Sequence, residues 1–87
     1  MNFSEALNLI KTGHKLARTG WNGKGMFVYL VQGSEFTVNR KPLNEIFEEG
    51  TVVKYRPHID LKAIDGTCGV WSPNNSDVLA DDWECVE

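Results

Sequence analysis

Apolar residues fall into short runs divided by glycine and proline, and the spacing within each run points to a different element. Ala6, Leu7 and Ile10 recur at helical spacing after Ser4, a residue suited to cap a helix, with Phe3 in the staple position and Gly13 beyond. That pattern predicts one short amphipathic helix over about residues 4–12. Leu16 and Ala17, set between Lys15 and Arg18, predict a short strand. Gly20, Gly23 and Gly25 then break the chain around Trp21 and Asn22. The run Met26-Phe27-Val28-Tyr29-Leu30-Val31 is aromatic and β-branched and predicts a buried central strand that ends at Gly33.

The second half is more irregular. Phe36, Val38 and Pro42 mark a loose connection, and Leu43, Ile46 and Phe47 are spaced for one helical turn that pins it to the core, with Gly50 ending that turn. Thr51 to Arg56 alternates as a strand, limited by Pro57. Ile59 to Ile64 and Thr67 to Trp71 are two further β runs joined by Asp65-Gly66, a strong hairpin signal. Pro73, Asn74, Asn75 and Ser76 read as a polar loop, and Asp77 as the cap of a short turn carrying Val78 and Leu79. Asp82 to Val86 predicts a last strand, with Trp83 and Cys85 on one face and Glu84 and Val86 on the other. The expected fold is α+β: a small antiparallel β-sheet of about five or six strands with an N-terminal helix and short helical turns. Residues 1–87 are expected to form a single ligand-binding domain.

A chain of 87 residues has room for one core, and burial of roughly 60–65% of its unfolded surface makes oligomerisation a natural support. With 41% hydrophobic and 24% charged residues it is not a disordered chain. The net charge is −3, and the nine basic residues are scattered without the stripe that duplex nucleic acid requires. A single phosphate-bearing ligand needs only one or two cations. Cys68 and Cys85 form no CxxC pair, and His14 and His58 have no ligand partner at helical or knuckle spacing. Free, partly buried thiols, no metal site and no cofactor are therefore expected. No apolar run reaches the roughly 18 residues of a membrane span, and no signal peptide is expected.

The candidate chemistry is that of binding. No nucleophile sits in an elbow motif, so no catalytic residue is assigned. The glycines of Gly20-Trp21-Asn22-Gly23-Lys24-Gly25 read either as turn formers or as a loop bringing N–H groups and Lys24 to a phosphate. Trp83 alternates with charged neighbours and reads as core. Trp21 and Trp71 stand beside turn residues, where an indole either caps the core or stacks on a purine, a contact of roughly 1–3 kcal/mol per base. Arg56 suits a forked contact to phosphate, His58 adds a donor, and Asp60 accepts from a ribose hydroxyl; the alternative is a structural Arg56–Asp60 pair at a strand edge. Asn74, Asn75 and Asp77 suit ribose hydroxyls, though such residues populate any loop.

The order of these residues carries a resemblance. Met1-Asn2-Phe3-Ser4-Glu5-Ala6-Leu7 is followed by Ala17-Arg18-Thr19-Gly20-Trp21-Asn22-Gly23-Lys24-Gly25-Met26, then by Tyr55-Arg56-Pro57-His58-Ile59-Asp60, Trp71 and Leu79-Ala80-Asp81-Asp82-Trp83. This resembles the second Thoeris anti-defence family of phages and prophages over nearly the whole chain. The resemblance implies a phage sponge: a homotetramer, with ligand pockets at subunit interfaces, that sequesters glyco-cyclic ADP-ribose made by bacterial TIR-domain enzymes. It implies no catalysis, and action in the cytoplasm of the infected host. In that frame Trp21 and Trp71 sandwich the base, Arg56 and Lys24 hold the pyrophosphate, and Asn22, Asn74 and Asp77 read ribose hydroxyls. Three other readings remain open: a sponge for cyclic oligonucleotide signals of another antiphage system, a protein that blocks a host defence protein directly through Trp21 and Trp71, and a hydrolase with His58 or Asp60 as base.

Overall fold

The computed structural model describes residues 1–21 and 24–86. The first helix, α1, spans Phe3–Lys11, and its cap is Asn2 rather than Ser4. The Asn2 side chain accepts from the Glu5 N–H at 2.9 Å, and the Glu5 carboxylate accepts from the Asn2 N–H at 3.2 Å. This reciprocal box satisfies two free donors at once, which Ser4 has no means to match. Phe3 therefore belongs to the first helical turn and packs against the tryptophans instead of acting as a staple. Gly13 ends the helix with φ +98°, a conformation that side chains rarely adopt.

Five strands form the body: β1 (Lys15–Arg18), β2 (Phe27–Val31), β5 (His58–Lys62), β6 (Cys68–Val70) and β7 (Trp83–Val86). The two intervening strands, β3 (Ser34–Thr37) and β4 (Val52–Tyr55), pair only with each other. The body sheet runs β6-β5-β2-β1-β7 and every pairing is antiparallel. Leu16 opposite Val28 sets the register, and α1 lays Ala6 and Ile10 against them. The β5–β6 turn is tighter than a dipeptide signal suggests. Gly66 at φ +87° donates to the Ala63 carbonyl at 3.0 Å, and the Asp65 carboxylate accepts from the Thr67 N–H and hydroxyl. Those bonds, the hydroxyl's first, hold Asp65 below the usual carboxylate range.

Trp71, just past β6, and Trp83, on β7, belong to opposite edges of this sheet. In a flat sheet four strand spacings would separate them by roughly 19 Å. Their ring centroids are 5.9 Å apart. The sheet is curled, and two long indoles close the gap between its edges. The second helix, α2 (Asn75–Leu79), makes the same crossing in the backbone. Its cap is Asn74, with Asp77 as the reciprocal third residue. Asp77 thus lies inside the helix it was expected to cap, and Asn75 and Ser76 are helical rather than loop.

The five-stranded body is the α+β sheet the sequence predicts, and β3 and β4 add a separate two-stranded sheet to it. Residues 34–37, read as a loose connection, form a strand whose alternation is masked because only Phe36 is even half-buried. The turn at Leu43–Glu45 does not pin this segment to the core: Ile46 is 67% and Phe47 41% exposed. The ribbon projects as an arm. The radius of gyration is 16.1 Å, against roughly 12 Å for a compact chain of this length. At the base of the arm its two crossings touch, and a Cβ on Gly33 would lie 2.7 Å from the Tyr55 carbonyl oxygen, so glycine is required there.

Candidate functional site

The tryptophans meet over the curled sheet. Trp83 is 2% exposed, and Trp21 and Trp71 pack half-buried against it with centroids 5.3 Å and 5.9 Å away, both edge to face. Phe3 closes the group from α1, 5.4 Å from Trp83. Trp21 and Trp71 stand 6.5 Å apart at 66°. A base sandwich needs two parallel faces with room between them, so within one protomer these indoles pack on each other and form no slot.

Beneath the indoles lies a polar network that no local spacing announces. Arg18 ends β1, and its fork divides between two carboxylates: Nε donates to Asp82 at 2.8 Å and Nη1 to Asp77 at 3.0 Å. The same Asp77 oxygen accepts from Trp21 Nε1 at 3.3 Å, its second oxygen accepts from the Asn74 N–H, and its backbone carbonyl accepts from Trp83 Nε1 at 2.9 Å. Burial pushes the Asp77 carboxyl up, but the bonds from Arg18, Asn74 and Trp21 outweigh it and hold the group below the usual carboxylate range. Asp82 is held low chiefly by Arg18, against some burial, with help from the Gly20 N–H and the Thr19 hydroxyl. A Cβ on Gly20 would sit 2.9 Å from Asp82 Oδ2, so the carboxylate occupies the space where a side chain would go.

This lock fixes Thr19 and Gly20 over β7 and leaves an open cleft of about 550 Å3 bordered by Thr19, Trp21, Lys24, Met26, Glu84 and Val86. That volume lies within the ~300–1,000 Å3 of small-molecule sites. A hollow of similar size, about 540 Å3, lies in the arm, but it is lined by one continuous stretch, residues 36–43, and carries none of the predicted site residues.

The predicted residues divide. Trp21 and Lys24 border the cleft, and Asn22 lies outside the described residues. Trp71 belongs to the aromatic cluster. Asn74 Oδ1 is engaged by the Asp77 N–H at 2.8 Å, and the Asp77 carboxylate is engaged by Arg18 and Trp21. Arg56 and His58 lie at the other end of the sheet, and Asp60 lies midway along β5, opposite Tyr29. His58 pairs with Val31, whereas the cleft loop feeds into Phe27, four strand positions or roughly 13 Å away. The alternative Arg56–Asp60 pair does not form. Asp60 Oδ1 instead has His58 Nε2 at 3.3 Å, out of hydrogen-bond geometry, and His58 Nδ1 meets the Arg56 carbonyl at 3.1 Å. Both thiols are free, and they are exposed rather than partly buried. Arg18 and Asp82 went unassigned as site residues because 64 positions separate them. Glu84 and Val86 share the face of β7 opposite Trp83, and it is there that they meet the cleft.

Fold and site together define a small α+β protein with a curled antiparallel sheet and an open cleft edged by an indole and a lysine. No helix among the described residues is long and apolar enough to cross a membrane. Over residues 1–86 the chain matches the family described as the Thoeris anti-defense 2-like domain, and it belongs to that family. It is 36% identical over 90 residues to "Thoeris anti-defense 2" of Bacillus phage SP01, an alignment that covers 99% of this chain and 94% of that relative.

Proposed function

We propose that this protein serves phage anti-defence by sequestering a TIR-generated cyclic ADP-ribose signal, glyco-cyclic ADP-ribose, without degrading it, in the cytoplasm of the infected host. The carrying observation is the cleft at Trp21 and Lys24, held open by the Arg18–Asp77–Asp82 lock, in a chain of the Thoeris anti-defense 2-like family. The indole edge faces a base, and Lys24 faces a phosphate. Residues 1–87 act as one ligand-binding domain.

The division of the candidate residues bears on assembly. Trp21 and Lys24 lie at one end of the sheet, with Arg56 and His58 at the other. A ligand that engages both sets bridges two protomers, and a homotetramer with interfacial pockets supplies that arrangement. A base stacked on Trp21 then finds its second face on the neighbouring copy. Asn74 and Asp77 act by holding α2, Arg18 and Trp21 in place, and Trp71 by backing the Trp21 ring.

Calorimetric titration with glyco-cyclic ADP-ribose, followed by chromatography of ligand released on heating, tests the reading. Nanomolar binding, about −12 kcal/mol, with intact ligand recovered is the expected result. Recovery of linear ADP-ribose would favour hydrolysis instead. In that reading the His58–Asp60 contact at 3.3 Å supplies the base, and Asp60→Asn stops the turnover.

A further inference from the structure

The face of the sheet away from α1 carries a second group of cations that the candidate site does not use. Lys62 on β5 sits opposite Phe27 on β2, and Lys15 on β1 reaches across from the neighbouring strand. Their ammonium groups lie 5.3 Å and 5.1 Å from the centroid of the same Phe27 ring. Lys62 Nζ also donates to the Gly25 carbonyl at 3.4 Å, which places it against the loop that carries Lys24. Among the described residues, none of these three lysines has a carboxylate within ion-pair distance. The carboxylates on the same face are Glu84, across the cleft, and Asp60, which is turned to His58.

Two like charges drawn onto one ring are an uncommon arrangement in a chain of net charge −3. Both lysines are half-buried, and their heads lie against the Phe27 ring on the sheet instead of extending into water. The ring quadrupole offsets part of the repulsion. An anion with two charged groups offsets the rest, because each ammonium gains an acceptor. Tyr29, whose ring lies 5.7 Å from Phe27, continues the aromatic surface beside them.

We infer that Lys15 and Lys62, seated on Phe27, form a diphosphate-binding site on the open sheet face, contiguous with the cleft through Gly25 and Lys24. The site takes a small molecule in which two linked phosphates adjoin a sugar or base; the inference rests on the proposed function only for the identity of that molecule.

The test uses two probes on the whole protein: inorganic pyrophosphate, followed by amide NMR shifts, and glyco-cyclic ADP-ribose, followed by calorimetry. Pyrophosphate is expected to move the amides of Lys15, Phe27 and Lys62. Joint Lys15→Ala and Lys62→Ala substitution should weaken both probes at least about tenfold, and joint replacement by Arg should retain binding. Circular dichroism and the melting temperature establish that each variant is folded. Pyrophosphate shifts that fall elsewhere overturn the site. So does a folded double-alanine variant that binds the cyclic nucleotide as tightly as the parent, and that outcome leaves sequestration standing. Parent protein that binds pyrophosphate at these residues but not the cyclic nucleotide supports the site and removes the proposed function.

Discussion

In the body, one helix against five strands leaves Ala6, Ile10, Leu16 and Val28 with no exposure at all. In the arm, Val38 alone is buried to that degree, while Val52 and Tyr55 are 52% and 47% exposed beside Ile46 and Phe47. Both regions are antiparallel and both carry aromatic pairs; Phe36 stacks on Tyr55 at 5.5 Å. The difference is a third layer. A two-stranded ribbon has no opposite wall for its apolar face and is marginal alone in water. The body supplies its wall with α1 and with tryptophans that join its two edges. One chain of 87 residues thus contains a region with a closed core, although Val70 and Leu79 at its margin stay 75% and 79% exposed, and a region with almost no core of its own.

Trp83→Ala should erase the contrast by undoing the body. It removes the central ring of the cluster and the donor to the Asp77 carbonyl, and a loss of about 3–5 kcal/mol is expected from urea unfolding. Val38→Ala should sharpen the contrast. The arm loses about 2 kcal/mol of local stability, so its amides exchange faster while those of α1 and β2 keep their protection.

Acid should produce the smallest change, and in the body alone. Asp77 and Asp82 have folded pKa values below the usual 3.8, so the unfolded chain binds protons first. Their contribution is complete above pH 3.8 and declines as pH falls through the lower, folded values. Melting temperature measured at descending pH should therefore fall below that point. Asp77→Asn should flatten the fall.

Much of the body was legible because its signals are local. The helical spacing of Ala6, Leu7 and Ile10, the apolar run at β2, the glycine of the β5–β6 turn and the alternation around Trp83 all act within a few residues. Both helix caps were legible in kind but misplaced, since reciprocal boxes at Asn2–Glu5 and Asn74–Asp77 compete with the nearer Ser4 and Asp77. In the arm, β4 was legible from the alternation of Thr51 to Arg56, but β3 was not, because a ribbon with one weakly covered face leaves no clear alternation at Ser34–Thr37. At the site, Trp21 and Lys24 stand three residues apart and both border one cleft, which no sequence motif announced. The engagement of Asp77 with Arg18 was not legible either, since it depends on the curl that brings residues 59 positions apart together. The distance between His58 and the cleft loop likewise depends on strand register, which no motif encodes.

The crossed indoles have an optical consequence. Three transition dipoles held 5.3–6.5 Å apart and steeply inclined share excitation, so the near-ultraviolet dichroism of this chain belongs to the group and not to single rings. Trp21 is the member that also borders the cleft. A molecule stacked on it would change its coupling to both neighbours, so binding at the proposed site would be visible in light, without a label.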